Sequence, residues 1–262
     1  MPDYTITKLN ISYRNLTELP KNIHLYVNLK YLNCSYNELT QLNNLPPTLR
    51  ELNCENNNIT QLDNLPLGLK YLNCSYNKLT ELTNLPFGLK DLDCSGNEII
   101  QLDNLPSNLT NLDCYCNKLN QLDNLPQGLK ELDCSYNNLT QLDYLPISLE
   151  IINCKVNQLT HLDNLPFGLK KLICDENQIT QLDNLPQSLR ELDCADNNIT
   201  QLDNLPVGLK ELYCCRNQIT KYDNLPPRLK ELYGDDNPLI YDFEPTLENI
   251  RKYNARLTID SS

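Results

Sequence analysis

Apolar residues recur along this chain with a period of twenty, without one slip in register. Leu29, Leu49, Leu69 and Leu89 open a column that runs on to Leu229. Around each member the unit reads L-x-x-L-x-C-x-x-N-x-(L/I)-T-x-L-x-x-L-P-x-x, as in LKELDCSYNNLTQLDYLPIS from Leu129. A fixed period in this range predicts stacked repeats, each touching only its two neighbours. One unit alone buries too little apolar surface to offset the entropy of ordering its backbone, so neighbours must share their burial.

Within a unit, the segment around Leu132-Asp133-Cys134 alternates apolar and polar, the period of a half-buried strand. Leu132 and Cys134 are expected inside, with Glu131, Asp133 and Ser135 outside. Stacking in register makes a parallel sheet with about 4.8 Å between strands. The return half of the unit is too short for a helix and contains Pro146, which pushes Leu145 toward extended geometry. The expected architecture is a curved right-handed solenoid. It has a parallel sheet on its concave face and an extended, polyproline-like convex face.

Two polar columns accompany the apolar ones. The first is Asn37, Asn57, Asn77, Asn97, Asn117, Asn137, Asn157, Asn177, Asn197, Asn217 and Asn237. An Asn turned inward at a strand end gives its amide hydrogens and its carbonyl oxygen to adjacent coils, so this column reads as a structural ladder. The second includes Asp63, Asp103, Asp123, Asp143, Asp163, Asp183, Asp203 and Asp223, just ahead of the Leu-Pro step. These carboxylates are expected to accept a nearby backbone N–H. One Asp per coil supplies too few converging oxygens for calcium.

The pattern degenerates at both ends. Leu9-Asn10-Ile11-Ser12-Tyr13 mirrors Leu32-Asn33-Cys34-Ser35-Tyr36 at a spacing of 23, with Leu16, Leu19 and Ile23 beneath it. After Asn237-Pro238-Leu239 the segment PTLENIRKYNARL begins with Pro245 and Thr246 as helix-start residues, and Leu247, Ile250, Asn254 and Leu257 follow at helical spacing. The chain thus reads as a single domain over 1–262. Residues 1–28 form a capping repeat, 29–240 eleven repeats with the last degenerate, and 241–262 a cap with a short helix.

Charge and cysteine content narrow the chemistry. The net charge is −12, with 14 acids and 10 bases in residues 1–131 and 20 and 12 in residues 132–262. Such a surface is a poor partner for nucleic acid, whose binding depends on Lys and Arg at phosphates. Ten of the twelve cysteines occupy one column, Cys34 through Cys214, where they act as small buried hydrophobes. Cys116 and Cys215 lie off it. No C-x-x-C pair exists and only His24 and His161 could assist a metal, so no metal or other cofactor is expected. The opening MPDYTITKLNISYR lacks an apolar stretch after a basic end, and no run reaches the length of a membrane span. A cytosolic protein with unbridged thiols, and no membrane partner, is the expectation.

Outward positions vary while the framework does not, which points to recognition on the concave face. Its first half carries Tyr31, Tyr36, Tyr71, Tyr76, Tyr115 and Tyr136. Further on come Asp193 and Asp196, interspersed with Tyr213, Arg216 and Tyr233. Exposed aromatic clusters mark contacts, so a protein partner is expected there, its basic part toward the acids. No Ser/His/Asp set, Gly-rich phosphate loop or ligand-spaced cluster is present, so neither catalysis nor a small-molecule substrate is expected. Two other readings remain open: the substrate-recognition arm of an enzyme complex such as a ubiquitin ligase, and a component of an assembled particle.

The motif L-x-x-L-x-C-x-x-N, as in Leu189-Arg-Glu-Leu-Asp-Cys-Ala-Asp-Asn197, resembles the leucine-rich repeat family over Leu9 to about Ile240. The twenty-residue length and the Leu205-Pro206 step look like the short repeats of bacterial type III secreted effectors. The Cys-for-aliphatic choice and the Asn-rich composition are similar to leucine-rich repeat proteins of giant DNA viruses of amoebae. The resemblance implies a partner-binding solenoid, acting in a host cytosol if the chain is viral or an effector. Some such effectors carry a ligase domain with a catalytic C-x-D. Cys194-Ala195-Asp196 matches those letters, but Cys194 belongs to the inward column.

Overall fold

The structure, a computed structural model, describes residues 3–260, with side chains as far as Arg256. Its contacts divide the chain into two compact units, Met1–Asn138 and Leu139–Ser262. The first carries strands β1 (Lys8–Asn10), β2 (Tyr31–Asn33), β3 (Glu51–Asn53), β4 (Tyr71–Asn73), β5 (Asp91–Asp93), β6 (Asn111–Asp113) and β7 (Glu131–Asp133). A 3-10 turn at Ile23–Leu25 separates the first two. The second carries β8 (Ile151–Asn153), β9 (Lys171–Ile173), β10 (Glu191–Asp193), β11 (Glu211–Tyr213), β12 (Glu231–Tyr233) and helix α1 (Leu247–Asp260). Each unit is a solenoid of stacked coils. Successive strands pair in parallel with equivalent residues side by side, as Leu32 with Leu52 and Leu192 with Leu212.

Burial follows the apolar period. Leu129, Leu132, Cys134 and Leu139 are essentially sealed, and Leu142 and Leu145 are buried too. Each strand is short because the chain turns away three residues after it. There the backbone enters the left-handed region, at Tyr36 (φ 52°), Asn56 (51°) and Tyr76 (50°). Ser135, expected to face outward, is buried, as are Ser35, Ser75 and Ser95. An Asx turn draws the serine under: Asn73 Oδ1 accepts the Ser75 N–H at 2.9 Å and its hydroxyl at 2.7 Å.

The Asn column closes this turn. Asn97 donates to the Cys94 carbonyl of its own coil at 3.0 Å and to the Cys74 carbonyl of the coil before at 3.1 Å. Its Oδ1 accepts the Leu79 N–H at 3.0 Å. The same set recurs at Asn57, Asn77 and Asn117 and, in the second unit, at Asn177 and Asn197. With a further bond from Asn97 to Ser95 O at 3.1 Å, one side chain serves four backbone groups.

A second left-handed position sits at Asn44, Asn64, Asn84, Asn104 and Asn124, and again at Asn164 through Asn224. This is the Asn of the D-N-L-P step, to which the sequence pattern assigned no role. Asn tolerates the left-handed region better than other L residues, so its recurrence is a backbone requirement. Tyr144 alone departs from it, at φ 56° and almost fully exposed. The preceding Asp column makes a different contact from the one expected. Asp63, Asp103 and Asp183 accept the side-chain amides of Gln61, Gln101 and Gln181 at 2.6–2.9 Å, not a backbone N–H.

The ten column thiols are buried and unbridged, and several donate to the next coil's carbonyl, as Cys54 Sγ to Asn73 O at 3.3 Å. Burial pushes the Cys34 and Cys214 thiols up to about 12. The column ends at Gly234, where a Cβ would lie 2.1 Å from the Tyr222 hydroxyl. Tyr222 replaces the usual Leu and fills the space a further Cys would take, its hydroxyl 3.4 Å from Cys214 Sγ.

Both ends are covered. Ile11, Leu19 and Ile23 are buried at the start, with Leu16 half-buried. In α1, Thr246 Oγ1 caps the first turn by accepting the Asn249 N–H at 3.2 Å, and Ile250 is fully buried. Arg251 donates to the Pro226 and Leu229 carbonyls at 3.1 and 2.9 Å, closing the last coil. The side chain of Leu257, the last apolar position expected in this helix, lies outside the described residues.

Three outcomes follow for stability and reactivity. Asn97→Ala strands the Leu79 N–H and two carbonyls, so urea unfolding is expected to show a loss of about 3 kcal/mol or more. Tyr144→Asn relieves a left-handed aromatic residue and is expected to gain about 1 kcal/mol. Iodoacetamide applied to the native protein, followed by mass spectrometry, is expected to label exposed Cys116 and half-buried Cys215 while sparing the column.

Candidate partner-binding face

The strand face of the first unit is built from three outward columns. The strand-initial column runs Tyr31, Glu51, Tyr71, Asp91, Asn111, Glu131, and the strand-final one runs Asn33, Asn53, Asn73, Asp93, Asp113, Asp133. The third is the left-handed position, whose φ swings its side chain outward: Tyr36, Tyr76, Cys116 and Tyr136 are all exposed there. Tyr71 and Tyr76 are about half exposed, and Tyr31 and Tyr115 somewhat less.

The tyrosines are held against one another and the coils. Tyr13 of the degenerate first coil stacks on Tyr36, centroids 4.4 Å apart and planes 9° apart. The Tyr36 hydroxyl donates to Glu55 at 3.1 Å. Tyr115 meets Tyr136 edge-on at 5.1 Å. Tyr13 therefore joins the aromatic face. Its place was readable in the mirrored Leu9–Tyr13 segment, but the altered spacing of 23 hid it from a search at period twenty.

Between the tyrosines lies a charge that the sequence pattern did not single out. Tyr31, Glu51, Tyr71, Asp91 and Asp93 line an open groove of about 280 Å³, and Asp113, Glu131 and Asp133 continue the acidic columns past it. Among the described residues, no ion pair reaches Asp91, Asp93 or Asp113. Burial raises Asp91, helped by the charges of Asp93 and Glu131. Burial also pushes Asp113 up to about 6, reinforced by Asp93, Asp133 and Asp91 and offset by the N–H that Tyr115 donates.

This charge exceeds what the turn requires. Asn33 and Asn73 accept the N–H two residues on at 3.0 and 2.9 Å, and Asp93 and Asp113 make the same bond at 3.0 Å. Neutral Asn closes the turn as well as Asp does.

In the second unit the predicted acids are engaged internally. Arg216 makes two bonds to Asp196, at 2.5 and 2.6 Å, which holds that carboxyl below the usual range. Asp193 is half-buried, accepts the Ala195 N–H at 3.2 Å and is raised chiefly by burial. Lys155 bridges Asp175 and Glu176 at 2.8 and 3.2 Å. Tyr213 and Tyr233 stack on each other at 4.7 Å.

Among the described residues no group of three or more His, Cys, Asp or Glu could hold a metal ion, and no helix is long and apolar enough to cross a membrane. Cys194, the cysteine of the C-x-D letters, is fully buried, and its thiol is raised well above the ordinary value by burial and by neighbouring charges.

No family model and no curated protein sequence matches the chain, but solved structures do. It is similar to YopM from Yersinia enterocolitica WA-314 at 30% identity and a TM-score of 0.66, over 92% of this chain and 67% of that one. It is similar to the functional domain of InlJ from Listeria monocytogenes, which includes a cysteine ladder, at 32% identity and a TM-score of 0.71. That match covers 90% of this chain and 59% of the other, so the chain spans less than two thirds of the InlJ length. YopM from Yersinia pestis, a leucine-rich effector protein, matches at 28% identity and a TM-score of 0.59, over 92% and 87%. The chain belongs to the leucine-rich repeat family.

The charge at Asp113 is testable through stability. Its folded value lies above the ordinary 3.8, so the carboxylate form costs stability at neutral pH, and the cost fades as pH falls through about 6 toward 4. Asp113→Asn keeps the Tyr115 bond. It is expected to stabilise by about 1 kcal/mol near pH 8, after allowance for solvent screening, and by nothing near pH 4. Urea unfolding at the two pH values measures the difference.

Proposed function

We propose that this protein is a non-catalytic scaffold that holds a partner protein on the strand face of its first unit. The single observation that carries the reading is the acidic surplus there. Asp93 and Asp113 sit where Asn serves the turn equally well, without ion pairs among the described residues, and tyrosines flank them. Clustered carboxylates are relieved by a cation, and aromatic rings beside them add cation–π contact. The matching occupant is an extended segment rich in Lys or Arg. Its side chains reach the carboxylates while its stems lie against Tyr71, Tyr76 and Tyr115. Asp193 and Asp196 have a smaller part in this reading, since Asp196 is already paired with Arg216. The unbridged column thiols suit a reducing compartment such as the cytosol.

The test uses a fluorescent peptide alternating Lys and Gly, with a Glu-for-Lys control, followed by anisotropy. The Lys peptide is expected to bind and the control not. Two variants, the triple Tyr36→Ala, Tyr76→Ala, Tyr136→Ala and the double Asp93→Asn, Asp113→Asn, should each weaken binding about tenfold or more with no loss of melting temperature. Binding should also weaken as pH drops through about 6, where Asp113 takes up its proton. Equal binding by wild type and both variants would refute the site.

A further inference from the structure

A different edge of the first unit carries the opposite charge. Each coil enters its strand through a tight turn, closed for example by the Leu69 N–H on Pro66 O at 3.0 Å and the Leu89 N–H on Pro86 O at 3.0 Å. The residue after the proline, or after Tyr26 where the first of these turns closes by the Leu29 N–H on Tyr26 O at 3.0 Å, stands at the tip of the turn. In four consecutive coils it is apolar and exposed: Val27 (62%), Pro47, Leu67 (79%) and Phe87 (74%). Three residues further on, in the same four coils, stand Lys30, Arg50, Lys70 and Lys90. Both rows are interrupted at Ser107 and Thr110; the next coil has a cation again at Lys130 but polar Gln127 at the tip.

The cations are held along this edge. Arg50 lies across Gly68, where a Cβ would come 1.8 Å from its Nη1, and Lys70 Nζ donates to Gly88 O at 3.0 Å. Among the described residues none of the four is in an ion pair. In a chain of net charge −12, four adjacent unpaired cations beside four exposed apolar residues call for an occupant outside the molecule.

The repeat distance selects its shape. Coils stand about 4.8 Å apart, so the row is roughly 15 Å long. An α-helix advances about 5.4 Å per turn and would drift only about 2 Å over four coils, within the reach of side chains. An extended segment presents alternate side chains about 6.8 Å apart and falls out of step by about 2 Å at every coil. We infer that this edge docks an acidic amphipathic helix of a partner protein. One apolar residue per turn of that helix rests against Val27, Pro47, Leu67 and Phe87, and an Asp or Glu per turn faces the cations. A lipid surface offers anionic groups too, but the net charge of this chain opposes approach to an anionic bilayer.

The probe is a synthetic helical peptide with leucines along one stripe and glutamates beside it. Its control carries lysines in place of the glutamates. By anisotropy the acidic probe is expected to bind, with affinity falling as salt rises, and the control is not. Leu67→Ser with Phe87→Ser, and separately Lys30→Glu with Lys90→Glu, should each weaken the probe about tenfold. The affected side chains are exposed, so melting temperatures should stay put. The Asp93→Asn, Asp113→Asn protein should bind the probe as wild type does, which separates this edge from the strand face. No binding of the probe, equal binding by the variants, or equal binding of the lysine control would overturn the inference. Co-sedimentation with phosphatidylserine vesicles, without probe binding, would overturn it as well and assign the edge to lipid.

Discussion

The fold depends on one side chain used repeatedly. Every coil must reverse direction right after its strand, and the reversal buries backbone groups that the strand ladder cannot reach. The Asn column supplies the missing partners, joining its own coil to the one before through bonds of 2.9–3.3 Å. An unpaired buried N–H or carbonyl costs about 1–3 kcal/mol, so the column sets where the turn falls. The turn in turn sets the left-handed residue, and that residue aims its side chain outward. Tyr36, Tyr76 and Tyr136 of the candidate face are exposed because the asparagines beside them are buried.

Freedom to carry charge comes from the same arrangement. The strand-final position needs only an oxygen that accepts one N–H, and Asn or Asp provides it. The first three of these coils use Asn and the next three Asp. No gain in turn geometry accompanies the change, while the neighbouring charges reinforce the rise at Asp113. In the second unit, acids at and beside the left-handed position, Asp175, Glu176 and Asp196, are paired with Lys155 and Arg216. Acids of the same kind are therefore silent in one place and available in another, depending on which cation a neighbouring coil presents.

The C-terminal end shows how the cysteine column is closed. Gly234 and Tyr222 change together, twelve residues apart, so that a phenol occupies the volume of a missing thiol. Arg251 of α1 then takes up carbonyls left by the last coil. Neither exchange is visible as a pattern, because each occurs once.

Much of this was legible in the letters. The period placed Leu129, Leu132, Cys134 and Leu139 inside, Pro146 ruled out a helix in the return half, and Pro245-Thr246 announced α1. Inward or outward orientation repeats along the chain, so the sequence by itself determines it. What the letters did not contain is which groups meet across coils, at separations of eighteen to twenty-three residues. Ser135 is buried because an Asx turn draws it under. Asp63 meets a Gln amide, Asp196 finds Arg216 while Asp113 finds the Tyr115 N–H and other acids, and Lys30 stands beside exposed Val27 with no carboxylate to neutralise it. Those outcomes depend on lateral distance and local backbone angle, and only the stacked structure decided them.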